Sequence, residues 1–552
     1  MKKFIYYIGF LALCLLPAAC SLEEESSTEV EKNKYMNDAK EAQDVLLGVY
    51  RSTIEEGMYG YHLSIYFSMG TDISQVEGSS TENFRILPTN AYPTTQAEVQ
   101  TSWASLYAGI YNANDFLERI SVKMESYNET DKKLATIYIA EARALRALYY
   151  FELVRRWGNI PLMTSTTMSN QHPSTFVQAD PVDVYKFIEE DLLYACDILP
   201  YATEDSYRTS NDYRFSKGAA LGLLAKVYAT WAGYPIQDTS KWEAAAKTAR
   251  IVIESGKHDL LENYEQLWKN TCNGIWDPTE SLIEISFYSP TYSGNSDPVG
   301  RIGKWNGVKT TTQQGRSGSC AGNVKVVHTF VLDWREQGDD LRRDLSVANY
   351  QHGSSPSNGD PILKDYILYA NTEADDANPE KRQKEKQNYT PAKWDIQKYM
   401  ENIPFINNDK STVNWYVLRY ADVLLLYAEA LNEWKGAPTT DAYAAINKVR
   451  KRGYGNDNHK LPEGLNQAAF RKAIQKERAY ELAFEGHRRL DLIRWGIYSE
   501  TIQETYNELK NWWSSANYVV YDYTEKGKHE LMPIPQREMD LCTQFDQNPG
   551  WK

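Results

Sequence analysis

Between Glu477 and Gly496 the chain reads ERAYELAFEGHRRLDLIRWG. Tyr480, Leu482, Ala483, Phe484, Leu490, Leu492, Ile493 and Trp495 supply apolar faces there, while Glu477, Arg478, Glu481, Glu485, Arg488, Arg489, Asp491 and Arg494 recur on a helical period. An apolar stripe must be covered, and charges three or four residues apart on a helix face each other. The pattern therefore predicts a salt-bridged helical hairpin turning at Gly486, with its charges used for structure.

The N-terminus carries an address. Lys2 and Lys3 precede the apolar run Phe4–Leu16, then Pro17, Ala18, Ala19 and Cys20. That run is too short to span a bilayer permanently, so residues 1–19 read as a cleaved export signal. Small residues directly before Cys20 resemble a lipobox, which implies acylation of the Cys20 thiol; Pro17 departs from that pattern, where a leucine is usual. Cys14 fits less well, because Leu13 precedes it. Residues 20–36, acidic and Ser/Thr-rich, have almost nothing to bury and read as a tether.

Composition narrows the remainder. The chain has 60 basic and 74 acidic side chains, net −14, and −16 once Lys2 and Lys3 leave with the signal, which argues against nucleic-acid partners. Mean hydropathy is −0.58, and no later apolar run is long enough for a membrane helix. Cys196, Cys272, Cys320 and Cys542 lack metal-ligand spacing and read as buried thiols, with one disulfide left open. The chain holds 40 Tyr and 15 Trp against 15 Phe, a bias towards rings with a polar edge that suits half-wet surfaces.

Four segments share one helical grammar, in which Ala with Tyr or Leu lines one face and a short turn leads to a second helix. The clearest is SKGAALGLLAKVYATWAG followed by WEAAAKTARIVIESG, where Ala220, Leu224, Ala225 and Tyr228 should meet Ala245, Ala249 and Val252. Small residues let two helices approach closely, as in tetratricopeptide-type pairs. The others are YADVLLLYAEALNEWKG with TDAYAAINKVRKRG, IAEARALRALYYFELVRRWG with VYKFIEEDLLYACDIL, and EAQDVLLGVYRST with WASLYAGIYNANDFLERI. A mainly all-α, tetratricopeptide-like helical-repeat domain over 37–552 follows. Residues 274–399 form a long loop-rich insertion lacking helical periodicity, with a few short strands; ESLIEISFY has strand-like alternation.

Several strings, in order, resemble the SusD/RagB family of nutrient-binding outer-membrane lipoproteins. They are AEARALRALYYFELVRRWGNIPL (140–162), RFSKGAALGLLAKVY (214–228), VLRYADVLLLYAEALNE (417–433), the Glu477–Gly496 segment and LMPIPQREMDLCTQFDQNPGW (531–551). The resemblance implies a lipid-anchored protein of the outer membrane facing the cell exterior. Glu23, Glu24 and Glu25 after the cysteine match the family's surface-export pattern. It further implies capture of oligosaccharide and delivery to a SusC-like TonB-dependent transporter, which the protein covers as a lid. A peptide-binding, RagB-like member and a surface glycoside hydrolase stay open as alternatives.

Sugar recognition needs flat aromatic faces against the pyranose ring, with Asp, Asn, Arg or Gln for its hydroxyls. Two irregular stretches offer this set: residues 67–92, with Asp72, Asn83, Phe84, Arg85 and Tyr92, and the insertion, with Trp276, Tyr288, Tyr292, Asn295, Trp305 and Asn306. Tyr292 and Trp305, set among Gly, Ser and Asn, are favoured over Tyr288, which continues a strand-like run. No zinc-protease, phosphate-loop or dinucleotide motif occurs. Gly318-Ser319-Cys320-Ala321-Gly322 resembles a nucleophile elbow only superficially, since no strand-to-helix context surrounds it. No catalytic residue, cofactor or metal is therefore assigned.

Overall fold

Helices begin where a side chain can satisfy the free amides of the first turn. Asp38 accepts from Glu41 N before α1 (Ala39–Arg51), and α2 spans Ala97–Lys123. Asn128 accepts from Thr130 N and Asp131 N before α3 (Glu129–Trp157), and Asp180 from Val182 N before α4 (Pro181–Ile198). Ser216 accepts from Ala219 N before α5 (Lys217–Trp231), and α6 covers Lys241–Glu254. The computed structural model describes residues 35–206, 208, 212–287, 300–310, 318–352, 366–368, 388–401 and 409–552. Cys20 and Tyr292 lie outside that set.

Further along come α7 (Tyr264–Asn273), α8 (His328–Glu336), α9 (Leu341–Ser346), α10 (Tyr420–Lys435), α11 (Thr440–Tyr454), α12 (Gln467–Glu481), α13 (Arg488–Arg494) and α14 (Tyr498–Trp512). The main helices stack in succession: α2 on α3, α3 on α4, α4 on α5, α5 on α6, α6 on α10, then α10 on α11 and α12. The all-α helical-repeat expectation holds, and the stack continues unbroken from pair to pair. Residues 255–419 lie between α6 and α10 in sequence, yet those two helices pack directly. Ala225, Ala229, Ala245, Ala246 and Ala249 are all buried along α5 and α6, which is what close approach requires. Helix α10 is buried on every side from Tyr420 to Asn432, marking it as the centre of the stack.

One expectation needs correcting. The 274–399 stretch holds α8 and α9, two helices too short to show a 3.6-residue period against their surroundings. Phe330, Val331 and Trp334 of α8 are buried. The 417–433 string divides between a strand and a helix. Its first residues finish a strand, and the helix starts at Tyr420.

Among the described residues, strands form four antiparallel two-stranded ribbons. They pair β1 (Ser74–Val76) with β3 (Val324–Val326), β2 (Ser281–Ile285) with β8 (Trp415–Arg419), β4 (Val347–Ala348) with β7 (Thr390–Pro391), and β5 (Tyr350–His352) with β6 (Tyr366–Leu368). The strand expected from ESLIEISFY is β2. All five of its residues are buried, so it is covered on both faces.

The Glu477–Gly496 segment turns at Gly486 (φ 81°), where a Cβ would meet the Trp415 ring at 3.2 Å. Its charges are paired chiefly with other parts of the chain. Arg419, at the end of β8, reaches Glu280 (2.6 Å), Glu481 (3.0 Å) and Glu485 (2.7 Å). Glu485 also takes Lys393 at 2.6 Å, and Glu477 takes Arg342 at 2.6 Å. Arg478 bridges Asp422 and Asp491, and Arg494 bridges Glu429 and Asp491. Burial alone would push the Asp491 carboxyl up, but Arg478 and Arg494 bring it down to about 2. Segments remote in sequence are thus fixed to one another by charges that have no water to fall back on.

Cys196, Cys272, Cys320 and Cys542 are buried free thiols. Among the described residues no helix is long and apolar enough to cross a membrane.

Candidate functional site

A turn at 301–307 presents Trp305. Lys304 N and Trp305 N both donate to Arg301 O at 3.1 Å, and Asn306 Oδ1 accepts from Gly303 N at 2.7 Å. Gly303 sits at φ 79°, and a Cβ there would lie 2.4 Å from Ile396 Cγ2. The turn is tied to three distant places: Arg301 N donates to Gly60 O, Ser411 N to Gly300 O, and Asn323 N to Trp305 O. A ring mounted this way is positioned before any ligand arrives.

Trp305 is half-buried, and its indole N–H donates to Asp409 Oδ1 at 2.8 Å. Its ring packs on Tyr61, with centroids 5.0 Å apart, and meets Phe84 edge to face at 5.5 Å and 83°. Phe84 comes from the single 3-10 turn Asn83–Arg85, none of whose residues is buried. Tyr66 donates its hydroxyl to Asn83 O at 3.2 Å, beneath that turn. Arg85 lies over the Phe84 ring at 4.2 Å and donates Nε to Glu77 O at 2.6 Å.

Arg301 closes the other side. Its guanidinium stands over Tyr61 at 4.8 Å and Trp305 at 5.4 Å, and pairs with Asp409 (3.1 Å) and Glu56 (2.9 Å). Burial pushes the Tyr61 hydroxyl far above its usual range, so this ring under the platform stays neutral. The result is two partly open aromatic rings at right angles, of which Trp305 packs on buried Tyr61, flanked by two guanidinium groups and two carboxylates. Rings of this kind accept the apolar face of a sugar while the flanking groups meet its hydroxyls.

Phe84, Arg85 and Trp305 come together, with Asn83 shaping the turn beneath Phe84. Other candidates lie elsewhere. Tyr92 is buried, 5.0 Å from the Trp551 ring and 6.1 Å from His529, and so serves packing. Asn306 stands in the Trp305 turn itself but is buried, its side-chain oxygen accepting from Gly303 N. Asp72 is paired with Arg488 at 2.6 Å. Trp276 stands by Tyr213 (6.1 Å) and Arg208 (5.6 Å). Cys320 is buried, and burial raises its thiol pKa, which does not suit a nucleophile. Tyr61, Arg301, Glu56 and Asp409 escaped the sequence reading, because only the fold brings the Glu56–Tyr61 segment and Asp409 to the turn that carries Arg301 and Trp305.

A helical-repeat scaffold that displays an aromatic and charged platform on its connecting loops defines a binding protein built on stacked helices. Residues 292–551 match the SusD family, and residues 22–229 match the family described as starch-binding and associating with the outer membrane. A crystallographically determined SusD homolog from Bacteroides thetaiotaomicron is 69% identical, with a TM-score of 0.90 over 96% of this chain and 100% of that one. A laminarin-binding SusD-like protein is 25% identical, with a TM-score of 0.67 over 93% of this chain and 99% of its own. A SusD-like protein of Formosa agariphila is 25% identical, covering 98% of this chain and 97% of its own. The chain belongs to the SusD family.

Proposed function

We propose that the protein is a non-catalytic glycan-binding lipoprotein of the outer membrane. The carrying observation is the Phe84–Trp305 platform, edge to face at 5.5 Å and fixed by Asp409 and Arg301. The laminarin-binding relative and the starch-binding family description both support glycan as the ligand class. Both carboxylates at the platform are engaged with Arg301, which favours holding a ligand over cleaving it. In this reading residues 1–19 direct export, Cys20 carries the lipid, 20–36 form the tether and 37–552 bind. The captured oligosaccharide passes to a SusC-like TonB-dependent transporter, outside the cell. Titration calorimetry of the mature protein with laminarin, starch and a panel of plant and host glycans tests the ligand class. Saturable binding to a glycan supports it; binding only to a peptide pool, or release of reducing sugar, overturns it. Co-purification of a transporter with the tagged lipoprotein tests the delivery step.

A further inference from the structure

Beside the platform lies a second cleft, of about 220 Å³, between the β1–β3 ribbon and the end of α14. Gln75 and Lys325 are direct cross-strand partners in that ribbon and line the cleft together. Trp512, Trp513 and Asn517 line the opposite side. Glu77 belongs to both places, since its carbonyl holds Arg85 of the platform while its residue borders the cleft.

Lys325 is the feature that packing does not explain. It is only 3% exposed, and its ammonium finds no hydrogen-bond acceptor among the described residues. Glu77 Oε1, at 3.7 Å, is near enough to balance charge but too far to accept a hydrogen bond. Burial brings the Lys325 pKa down to about 8, consistent with an ammonium short of solvation. A buried donor left without an acceptor costs free energy, and a cleft beside it leaves room for one.

The chemistry of the walls narrows the occupant. Two partly buried indoles line the cleft, Trp512 with His328 against its ring at 3.7 Å between centroids, and Gln75 and Asn517 offer amides that both donate and accept. Glu77 Oε1 already balances Lys309 and Lys325, each at 3.7 Å, so what Lys325 lacks is a hydrogen-bond acceptor and not a counter-charge, which a neutral ligand supplies. The volume lies below the roughly 300–1,000 Å³ of pockets that take drug-sized ligands, which fits one sugar ring and not a chain. We infer that this cleft is a second subsite for a single neutral hexose unit, a branch or end of the glycan on the Phe84–Trp305 platform, with a sugar hydroxyl accepting from Lys325 Nζ.

This inference rests on the glycan reading above, and its test separates the two. The mature protein is labelled with 5-fluorotryptophan, and the Trp305, Trp512 and Trp513 signals are assigned by single Trp→Phe variants. Glucose, mannose, galactose and glucuronate are titrated at millimolar concentrations, and laminarin and starch separately. The expected result is a saturable shift of Trp512 or Trp513 with at least one neutral hexose. In Lys325→Met or Lys325→Gln that affinity should fall roughly tenfold or more, the loss expected for one hydrogen bond to a charged group. Silence of both signals with all four sugars, preference for glucuronate, or unchanged affinity in the folded Lys325 variants overturns the subsite. Failure of the glycan reading appears instead as a Trp305 signal unmoved by laminarin, starch and every other glycan of the panel above.

Discussion

Arg488 grips Asp72 with two parallel hydrogen bonds, Nε to Oδ1 at 2.9 Å and Nη2 to Oδ2 at 2.6 Å, and joins the start of α13 to the loop ahead of β1. Its remaining arm donates to Gln475 O at 2.9 Å, so one guanidinium ties three chain segments. The two side chains are 13% and 18% exposed, which leaves the pair weaker than a fully buried one. A double-mutant cycle of Arg488→Ala and Asp72→Ala should give a coupling of roughly 0.5–3 kcal/mol in unfolding free energy. Weakened glycan binding in Asp72→Ala with unchanged stability would instead return Asp72 to the ligand.

Deeper in the same segment, Glu485 accepts from Arg419 and Lys393 with no solvent exposure of any of the three side chains. Glu485→Ala removes the carboxylate that the two buried cations share, leaving Arg419 with Glu280 and Glu481 and Lys393 with Glu481 O, and should cost up to about 3–5 kcal/mol in denaturant unfolding. Glu485→Gln keeps an acceptor for one donor and should lose less. Stability equal to wild type in Glu485→Ala would mean that the cations find water or other acceptors.

His487 makes stability depend on pH. Burial, reinforced by Lys226, lowers its pKa to about 3, and its Nδ1 lies 3.0 Å from Lys226 Nζ, the donor of that contact. Asp422, Glu485 and Asp491 act in the other direction but do not prevail. In the unfolded chain this ring titrates near 6.5, so from pH 6.5 towards 3 only the unfolded state gains its proton. The contribution is therefore complete above pH 6.5 and is lost as pH falls, at about 1.4 kcal/mol per pH unit. Glu141 and Glu284, both raised to about 7 chiefly by burial, act oppositely between roughly pH 4.5 and 7. They are common to wild type and His487→Gln, so the difference in slope between the two proteins from pH 6 to 4 isolates the histidine. Parallel pH profiles would refute its neutral state.

The helices were legible in the sequence because Ala, Leu and Tyr recur at 3.6-residue spacing where one helix covers another, as in α5 and α6. Charge spacing in Glu477–Gly496 announced a structural role, but not its partners. Arg419, Arg342, Glu280 and Glu429 come from segments with their own local patterns, and nothing local shows that they converge. The platform divides in the same way. Phe84, Arg85 and Trp305 stand out as rings and charges in irregular sequence, whereas Tyr92 looks alike and is core, because burial is decided by Trp551 and His529 at the far end of the chain.

Cys20→Ala should release the protein from the membrane fraction, given the small residues Ala18 and Ala19 before it and the short apolar run behind them. Mass spectrometry of the mature N-terminus checks the same point. A diacylated Cys20 is expected, and an unmodified terminus starting elsewhere would remove the anchor.

Trp305→Ala should weaken glycan binding by roughly 30-fold, the effect of losing about 2 kcal/mol at a central aromatic anchor. The side chain also packs on Tyr61 and donates to Asp409, so part of any loss could come from a disturbed turn. Trp305→Phe separates the contributions, because it keeps a ring on the platform while removing the indole N–H. Asp409→Asn keeps an acceptor for that N–H and removes the charge facing Arg301. If the platform binds sugar by ring stacking, Trp305→Phe retains most of the affinity, Phe84→Ala loses part of it, and Trp305→Ala loses the most. Tyr292→Ala, at a position outside the described residues, asks whether a further ring contributes. Calorimetry with the glycan that screening identifies decides the matter: wild-type affinity in folded Trp305→Ala and Phe84→Ala would move the binding site off this platform, while family membership would stand.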